Sequence, residues 1–306
     1  MKSILTKRLG FEFETLHAYS AVEYAEMTFP AYRATLLRRI RSENVVACGA
    51  KLEGTPVGLA LVENLDGQDP TLRSIYVDPD HRRQNLATKL ISSIEEISFS
   101  RGWKSIRAVF MEGIEQRTDL RRLIAKQNWS EPALRHHVIR ISLEDIMKSP
   151  WMQRRRPLPP DFQVFPWKDL TSEEIDSLQN DHREKAWPDS QVFPFRYGPK
   201  FEPNTSFGVR FQGRVVGWVV NHVYNSNTLR FTCSFLREDL QKLGRLVELY
   251  ARSVDRMKSS TNFERGILTV PVEYPAMVAF ARRHLMPFAD EIRETLGTQK
   301  TLSERT

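Results

Sequence analysis

Polar and apolar positions change period several times along this chain, and the changes fall at glycines, prolines and charged turns. Residues 45–52, 56–64 and 71–77 are short apolar runs separated by turn-forming sequence, and they predict three strands in succession. Helical spacing takes over in "NLATKLISSIEEISFS", residues 85–100, where Leu86, Leu90 and Ile91 share a face that packs on a sheet and Gly102 closes the helix. A strand over 104–111, a helix over 118–127 and a last strand near 134–142 follow, with helical spacing over 14–41 ahead of them all. The second half predicts a helix over 171–186, an irregular proline- and aromatic-rich stretch over 187–204, and strands over 206–212, 215–224 and 228–236. A helix over 239–258, a strand over 265–272, a helix over 275–285 and a short strand around 291–297 complete it.

The two halves are related. Gly54 and Gly58 in "KLEGTPVGLALVENL" recur as Gly213 and Gly217 in "RFQGRVVGWVVNHVY", an offset of 159 residues. The same offset pairs Val57 with Val216 and Tyr76-Val77 with Phe235-Leu236, and it carries the loop before helix 85–100 onto "REDLQKLGRLVEL". Two copies of one fold follow, residues 1–147 and 160–306, joined by a linker over 148–159 where prolines and an arginine triplet interrupt every period. In each copy antiparallel strands come first and a strand–helix–strand unit follows. That order predicts an α/β fold of the α+β type, each copy a mixed, mostly antiparallel sheet flanked by helices.

Bulk properties narrow the ligand more than the fold. The chain has 306 residues, 41% of them hydrophobic, enough for two ordinary domains. Its 45 basic and 38 acidic residues give a net charge of +7. Residues 1–150 hold 22 basic and 19 acidic, so the excess is spread through the chain. Such a charge suits an anionic small ligand and argues against nucleic acid, which needs basic and aromatic residues clustered on one face. Cys48 and Cys233 each lie in an apolar run and read as reduced core thiols. His136-His137 alternate across a strand with no third ligand nearby in sequence, so no metal is expected. There is neither a signal-like opening nor a run of about 18 apolar residues, and the expectation is a soluble cytoplasmic protein without membrane association.

The loop in "SIYVDPDHRRQNLATKLI", residues 74–91, carries the candidate chemistry. Arg82-Arg83 lie just before a helix start, where unpaired backbone N–H groups and the helix dipole favour an anion. Small residues at Asn85, Ala87 and Thr88 let a diphosphate approach the backbone.

Val77-Asp78-Pro79 followed by Arg82-Arg83-Gln84-Asn85-Leu86-Ala87 resembles the signature of the GNAT N-acetyltransferases. That signature is a strand ending V-x-P, then (Arg/Gln)-x-x-Gly-x-(Gly/Ala) opening a helix. The match holds at Arg82, Leu86 and Ala87 and departs at Asn85, a residue type that still reaches left-handed backbone. The element order resembles the family over 1–142 and more faintly over 160–298, as in its tandem-domain members. The resemblance implies acetyl-CoA as cosubstrate and an amine as acceptor. It places pantetheine on the main chain of Ile75 and Val77, and the phosphates on Arg82, Arg83, Gln84, Asn85, Leu86, Ala87 and Thr88. The second copy keeps Gln241 and Gly244 but has Leu246 where a small residue is expected and Glu238-Asp239 in the approach, so it reads as a degenerate supporting copy.

Amine acylation needs a proton acceptor, oxyanion donors and a proton for the leaving thiolate. The candidate catalytic residues are Glu63 late in strand 56–64, Tyr76 beside the thioester channel and Glu112 after strand 104–111, with His222 as the repeat partner of Glu63. The family's usual acid is a tyrosine in the pattern Leu-Tyr-x-x-x-Gly-Phe. "LIAKQNW" puts Ile124 at the tyrosine and Asn128-Trp129 at the Gly-Phe. Two alternatives stay open: a non-catalytic acyl-CoA-binding sensor, and a transferase of FemX type that resembles fused GNAT folds but draws on aminoacyl-tRNA.

Overall fold

In the computed structural model, residues 10–304 are described apart from 34–35, 43, 65–68, 112–115, 185–186 and 242–243. The first elements are β1 (Phe11–Thr15), α1 (Pro30–Arg33), α2 (Leu36–Ile40), β2 (Val45–Leu52), β3 (Thr55–Glu63), β4 (Thr71–Val77), α3 (Leu86–Ser100), β5 (Ser105–Met111) and α4 (Gln116–Lys126). There follow β6 (Ala133–Ser142), α5 (Leu143–Lys148), α6 (Pro150–Gln153), β7 (Phe162–Pro166), α7 (Ser172–Arg183), β8 (Phe207–Phe211), β9 (Arg214–Asn225) and β10 (Thr228–Leu236). The last are α8 (Arg245–Ser260), β11 (Arg265–Pro271), α9 (Pro275–His284) and β12 (Glu291–Thr301).

The chain forms two compact units, residues 1–134 with 295–306, and residues 135–294. In the first unit the strand order is β1-β2-β3-β4-β5 and then the Thr295–Thr301 part of β12, antiparallel except where β4 meets β5. In the second it is β7-β8-β9-β10-β11-β6, antiparallel except between β10 and β11. This division differs from the expected 1–147 and 160–306. The strand expected to close the first copy pairs with β11, from Arg265↔Ser142 to Pro271↔His136. The strand expected to close the second pairs with β5, from Thr295↔Met111 to Thr301↔Ser105. Each unit thus takes its sixth strand from the far half of the chain. Within 148–159, residues 150–153 form α6, and Phe162–Pro166 is a strand absent from the expected elements.

The 159-residue offset survives as geometry. Glu53-Gly54 (φ 50° and 79°) and Gln212-Gly213 (φ 51° and 77°) form two-residue turns with both residues left-handed, the form that suits the twist of a hairpin. Gly49 and Gly208 each leave room for an aromatic ring: an added Cβ would lie 2.3 Å from Tyr24 and 2.4 Å from Phe165. In both units the register slips at one residue of the strand before the loop, Arg73 and its counterpart Thr232.

Expected helical spacing over 14–41 resolves into the end of β1, a 3₁₀ segment Ser20–Met27 and the short α1 and α2. "FEFET" alternates apolar and polar residues, the period of an edge strand. Between α3 and the sheet, the first unit buries Leu86, Leu90 and Ile94 of the helix against Val46, Ala60 and Ile106 of the strands, among others. Its opposite face buries Tyr24, Val45, Leu59 and Leu61. The second unit repeats this two-faced packing around Val219, Leu249 and Val254 on one side and Trp167 and Trp218 on the other.

Candidate active site

β4 and β5 pair only at Thr71↔Arg107 and Leu72↔Ala108, and from Arg73 onward the two strands have no ladder. Which main-chain groups face that gap follows from the partner on the other side. Asp78 donates to Val57 O at 2.9 Å, and Val57 is its opposite number in register. Antiparallel pairs alternate, so Ser74 and Tyr76 also turn their amides toward β3 while Ile75 and Val77 turn theirs into the gap. Arg82 reports the same orientation, because its Nε donates to Val77 O at 3.1 Å.

The loop after β4 begins with a 3₁₀ turn, Pro79–His81, capped by the Asp78 carboxylate, which accepts from Asp80 N at 3.0 Å. Arg83 (φ 61°) and Asn85 (φ 67°) then take left-handed backbone and curl the chain into α3. No acceptor among the described residues meets the N–H groups of Arg83, Gln84, Asn85, Leu86, Ala87 or Thr88. Leu86 is buried under the helix, Ala87 and Thr88 are half-buried, and Arg82 to Asn85 are exposed. The Arg83 guanidinium has no partner among the described residues. Six orphan donors, a cation and the start of a 15-residue helix form an anion cradle.

The second unit repeats the device. Gln241 Nε2 donates to Leu236 O at 2.7 Å, as Arg82 does to Val77 O, and Gly244 (φ 71°) stands in the conformation of Asn85. Its charges differ from expectation, since Arg237 holds Asp239 through two bonds of 2.7 and 3.0 Å and offsets that acid. Arg245 replaces Leu86, donates to Leu240 O at 3.2 Å and lies over the Phe162 ring at 4.8 Å.

Glu63 is buried, and its oxygens accept from the Tyr32 hydroxyl and the Arg39 guanidinium, with Arg73 Nε 3.2 Å from Oε2. Burial and the bond to Glu63 push the Tyr32 phenol up to about 12, so it stays protonated and donating at neutral pH. Both carboxylate oxygens are thus engaged by neighbouring donors. Tyr76 is half-buried, its hydroxyl without a hydrogen-bond partner among the described residues. Glu63 is opposite Thr71 and Tyr76 opposite Leu59. Because Arg73 slips out of register, four residues of β3, roughly 13 Å, separate the two positions along the sheet. Glu112 lies outside the described residues.

His222 and Thr232 reproduce the Glu63–Arg73 contact in the second unit, with Nδ1 2.8 Å from Thr232 Oγ1. Burial and the neighbouring Arg230 hold the imidazole below its ordinary value, and Nε2 is buried without a hydrogen-bond partner. Ile124 is a buried core residue, and Asn128 (φ 56°) takes the left-handed backbone for which the family pattern has glycine. Tyr32, Arg39 and Arg73 were not foreseen as site residues; the one available signal was a charged residue in the apolar strand "TLRSIYV". Among the described residues no cluster of His, Cys, Asp or Glu could hold a metal, and no helix is long and apolar enough to cross a membrane.

Residues 13–128 match the family model described as acetyltransferase (GNAT) family. No curated protein matches the sequence. Among solved structures, a tandem GNAT protein from the clavulanic acid biosynthesis pathway, solved without AcCoA, superimposes with a TM-score of 0.69 at 13% identity, covering 97% of this chain and 100% of that one. A GCN5-related N-acetyltransferase from Sphaerobacter thermophilus gives 0.57 at 14% identity and 97% coverage of both chains. A glucosamine N-acetyltransferase region in a fungal multi-domain β-N-acetylglucosaminidase gives 0.66 at 15% identity, covering 96% of this chain and 38% of that one. At such identities the likeness concerns the fold.

Proposed function

Because residues 13–128 belong to the GNAT acetyltransferase family and the chain as a whole has the tandem GNAT fold, we propose that the first unit transfers an acetyl group from acetyl-CoA to an amine. The observation that carries this reading is a strand edge, without a ladder partner among the described residues beyond Leu72, running straight into an anion cradle. Phosphates of the cosubstrate are held by the backbone of Arg83 to Thr88 and by the Arg83 guanidinium. The pantetheine arm pairs with the main chain of Ile75 and Val77, which faces the gap between β4 and β5. The edge closes at Leu72↔Ala108, so the acyl end lies beside Arg73.

Acetyl-CoA supplies a carbonyl already activated as a thioester. The Ile75 main chain offers an N–H to the carbonyl oxygen as it gains charge. Tyr76 delivers a proton to sulfur as the C–S bond breaks and the N–C bond forms, matching the proton that the amine gives up to solvent. A non-catalytic acyl-CoA sensor is the second reading, favoured by Ile124 in place of a tyrosine and by the engaged state of Glu63.

The test is calorimetric titration of coenzyme A into the wild type and Asn85→Asp. That substitution is nearly isosteric and keeps a residue tolerant of left-handed backbone, while placing a negative charge in the cradle. Affinity should fall at least about tenfold, or 1.4 kcal/mol. Unchanged affinity would remove the phosphates from this loop. Thioester turnover in the presence of amines then separates transferase from sensor.

A further inference from the structure

We infer that the acceptor of the first unit is an amine that also bears a carboxylate, and that Arg73 is the residue that selects it. The inference rests on the proposal that this unit acylates amines. Arg73 stands at the register slip in β4, one residue before the point where pairing with β5 closes the gap. Two guanidinium groups, Arg39 and Arg73, face the single carboxylate of Glu63. The neighbouring Arg107 pairs with Asp69 at 2.5 Å.

The arginines are not equivalent. Arg39 is bonded to Glu63 and lies over the Tyr32 ring at 4.6 Å, which completes the fixing of that carboxylate. Arg73 approaches Glu63 through Nε alone, and that nitrogen is buried without a well-directed hydrogen bond. Neither of its terminal nitrogens has an acceptor among the described residues, and the side chain is 30% exposed. A planar fork with both prongs unspent, desolvated at its stem and open at its tip, is built for a carboxylate in bidentate geometry. Glu63, already supplied by Arg39 and Tyr32, holds the stem and leaves the fork for the ligand.

The experiment compares acceptors that differ only in the carboxylate, such as phenylalanine with phenethylamine and lysine with cadaverine, on the full-length wild type, Arg73→Gln and Arg73→Lys. The wild type should prefer the acids by at least about tenfold in kcat/KM, the order expected of one charge-assisted pair. Arg73→Gln should raise KM for the acids about tenfold or more and cost the decarboxylated amines far less, so that the wild type's preference for the acids collapses. Arg73→Lys, which keeps the charge and loses the fork, should fall between. Equal use of acids and amines by the wild type would overturn the assignment, as would an equal loss of kcat on both classes in Arg73→Gln.

Equilibrium binding of N-acetylphenylalanine against N-acetylphenethylamine asks the same question without turnover. Preference for the acid supports the inference and equal binding refutes it. A protein that binds neither coenzyme A nor acetyl-CoA would instead sink the proposed function, an outcome that the coenzyme A titration reports separately.

Discussion

Arg82 offers a sharp separation between a positioning role and an electrostatic one. Its Nε donates to Val77 O at 3.1 Å, and in the second unit the uncharged Gln241 makes the same bond to Leu236 O at 2.7 Å. If the bond is what matters, Arg82→Gln should bind coenzyme A within about twofold of the wild type, since glutamine already does this work 159 residues away. Arg82→Ala should lose it. A hydrogen bond from a charged donor contributes roughly 1.5–3 kcal/mol. Arg82 is exposed, so solvent screening reduces that to about 1 kcal/mol, or roughly fivefold in affinity. Calorimetry at two salt concentrations completes the argument: a positioning loss is nearly independent of salt, whereas a lost phosphate contact shrinks as salt rises. Should Arg82→Gln weaken binding as much as Arg82→Ala, with a loss that fades in salt, Arg82 is a phosphate ligand and the strand-capping account fails.

Gly49→Ala and Gly208→Ala should each destabilise the protein by about 1–3 kcal/mol in chemical denaturation, because the new methyl overlaps the buried Tyr24 or Phe165 ring. A cost under about 0.5 kcal/mol would mean that the rings yield freely. The pH dependence of stability should carry the mark of His222, whose folded value lies below the ordinary 6.5. The unfolded chain then binds a proton that the folded chain resists, so this contribution is present above about pH 6.5 and fades as the pH falls toward the lowered value. His222→Gln should shallow the loss of Tm on acidification, and an identical Tm–pH curve would count against a buried neutral imidazole.

What was legible in the sequence was what neighbours along the chain decide. The hairpin turns at Glu53-Gly54 and Gln212-Gly213 need left-handed backbone, glycine advertises it, and the offset that follows from those glycines led to the second loop. Asn85 reads as a tolerable substitute for glycine on the same ground, and its φ of 67° agrees. Nonlocal choices were illegible. Residues 134–142 and 291–297 both look like final strands, and nothing in their alternation says which parallel pair each one extends. Glu63 looked like a free strand-end carboxylate because Tyr32 and Arg39, 31 and 24 residues away, are brought to it only by the packing of α1 and α2. Asn128 shows the middle case: its left-handed backbone is local, while the burial of Ile124 beside it depends on what covers the helix.

The exchange of final strands changes how the two halves of the gene product can be separated. A chain ending near Ser149 contains the phosphate loop and the edge of β4, yet it lacks the Thr295–Thr301 strand that pairs with β5. It also lacks Leu296 and Leu302, both buried in the core beneath α3, and Lys300, whose Nζ donates to Gln127 O at 2.6 Å. Such a chain exposes an unpaired strand edge beside apolar surface, a combination that drives association between copies. It should aggregate and melt well below the intact protein. The remedy follows from the same pairing. Ser130 N donates to Gln299 O at 2.9 Å, so the segment after α4 already lies along the returning strand. Residues 10–134 joined through a flexible glycine–serine linker of about ten residues, with a mean reach of roughly 17 Å, to residues 295–304 hold every strand of the first unit. This spliced half should be monomeric by light scattering and should bind coenzyme A within about threefold of the full-length protein, since every donor of the cradle is present. A monodisperse chain ending at Ser149 with the melting temperature of the spliced half would show that the first unit does not require the C-terminal strand, and the expected division near residue 147 would then stand.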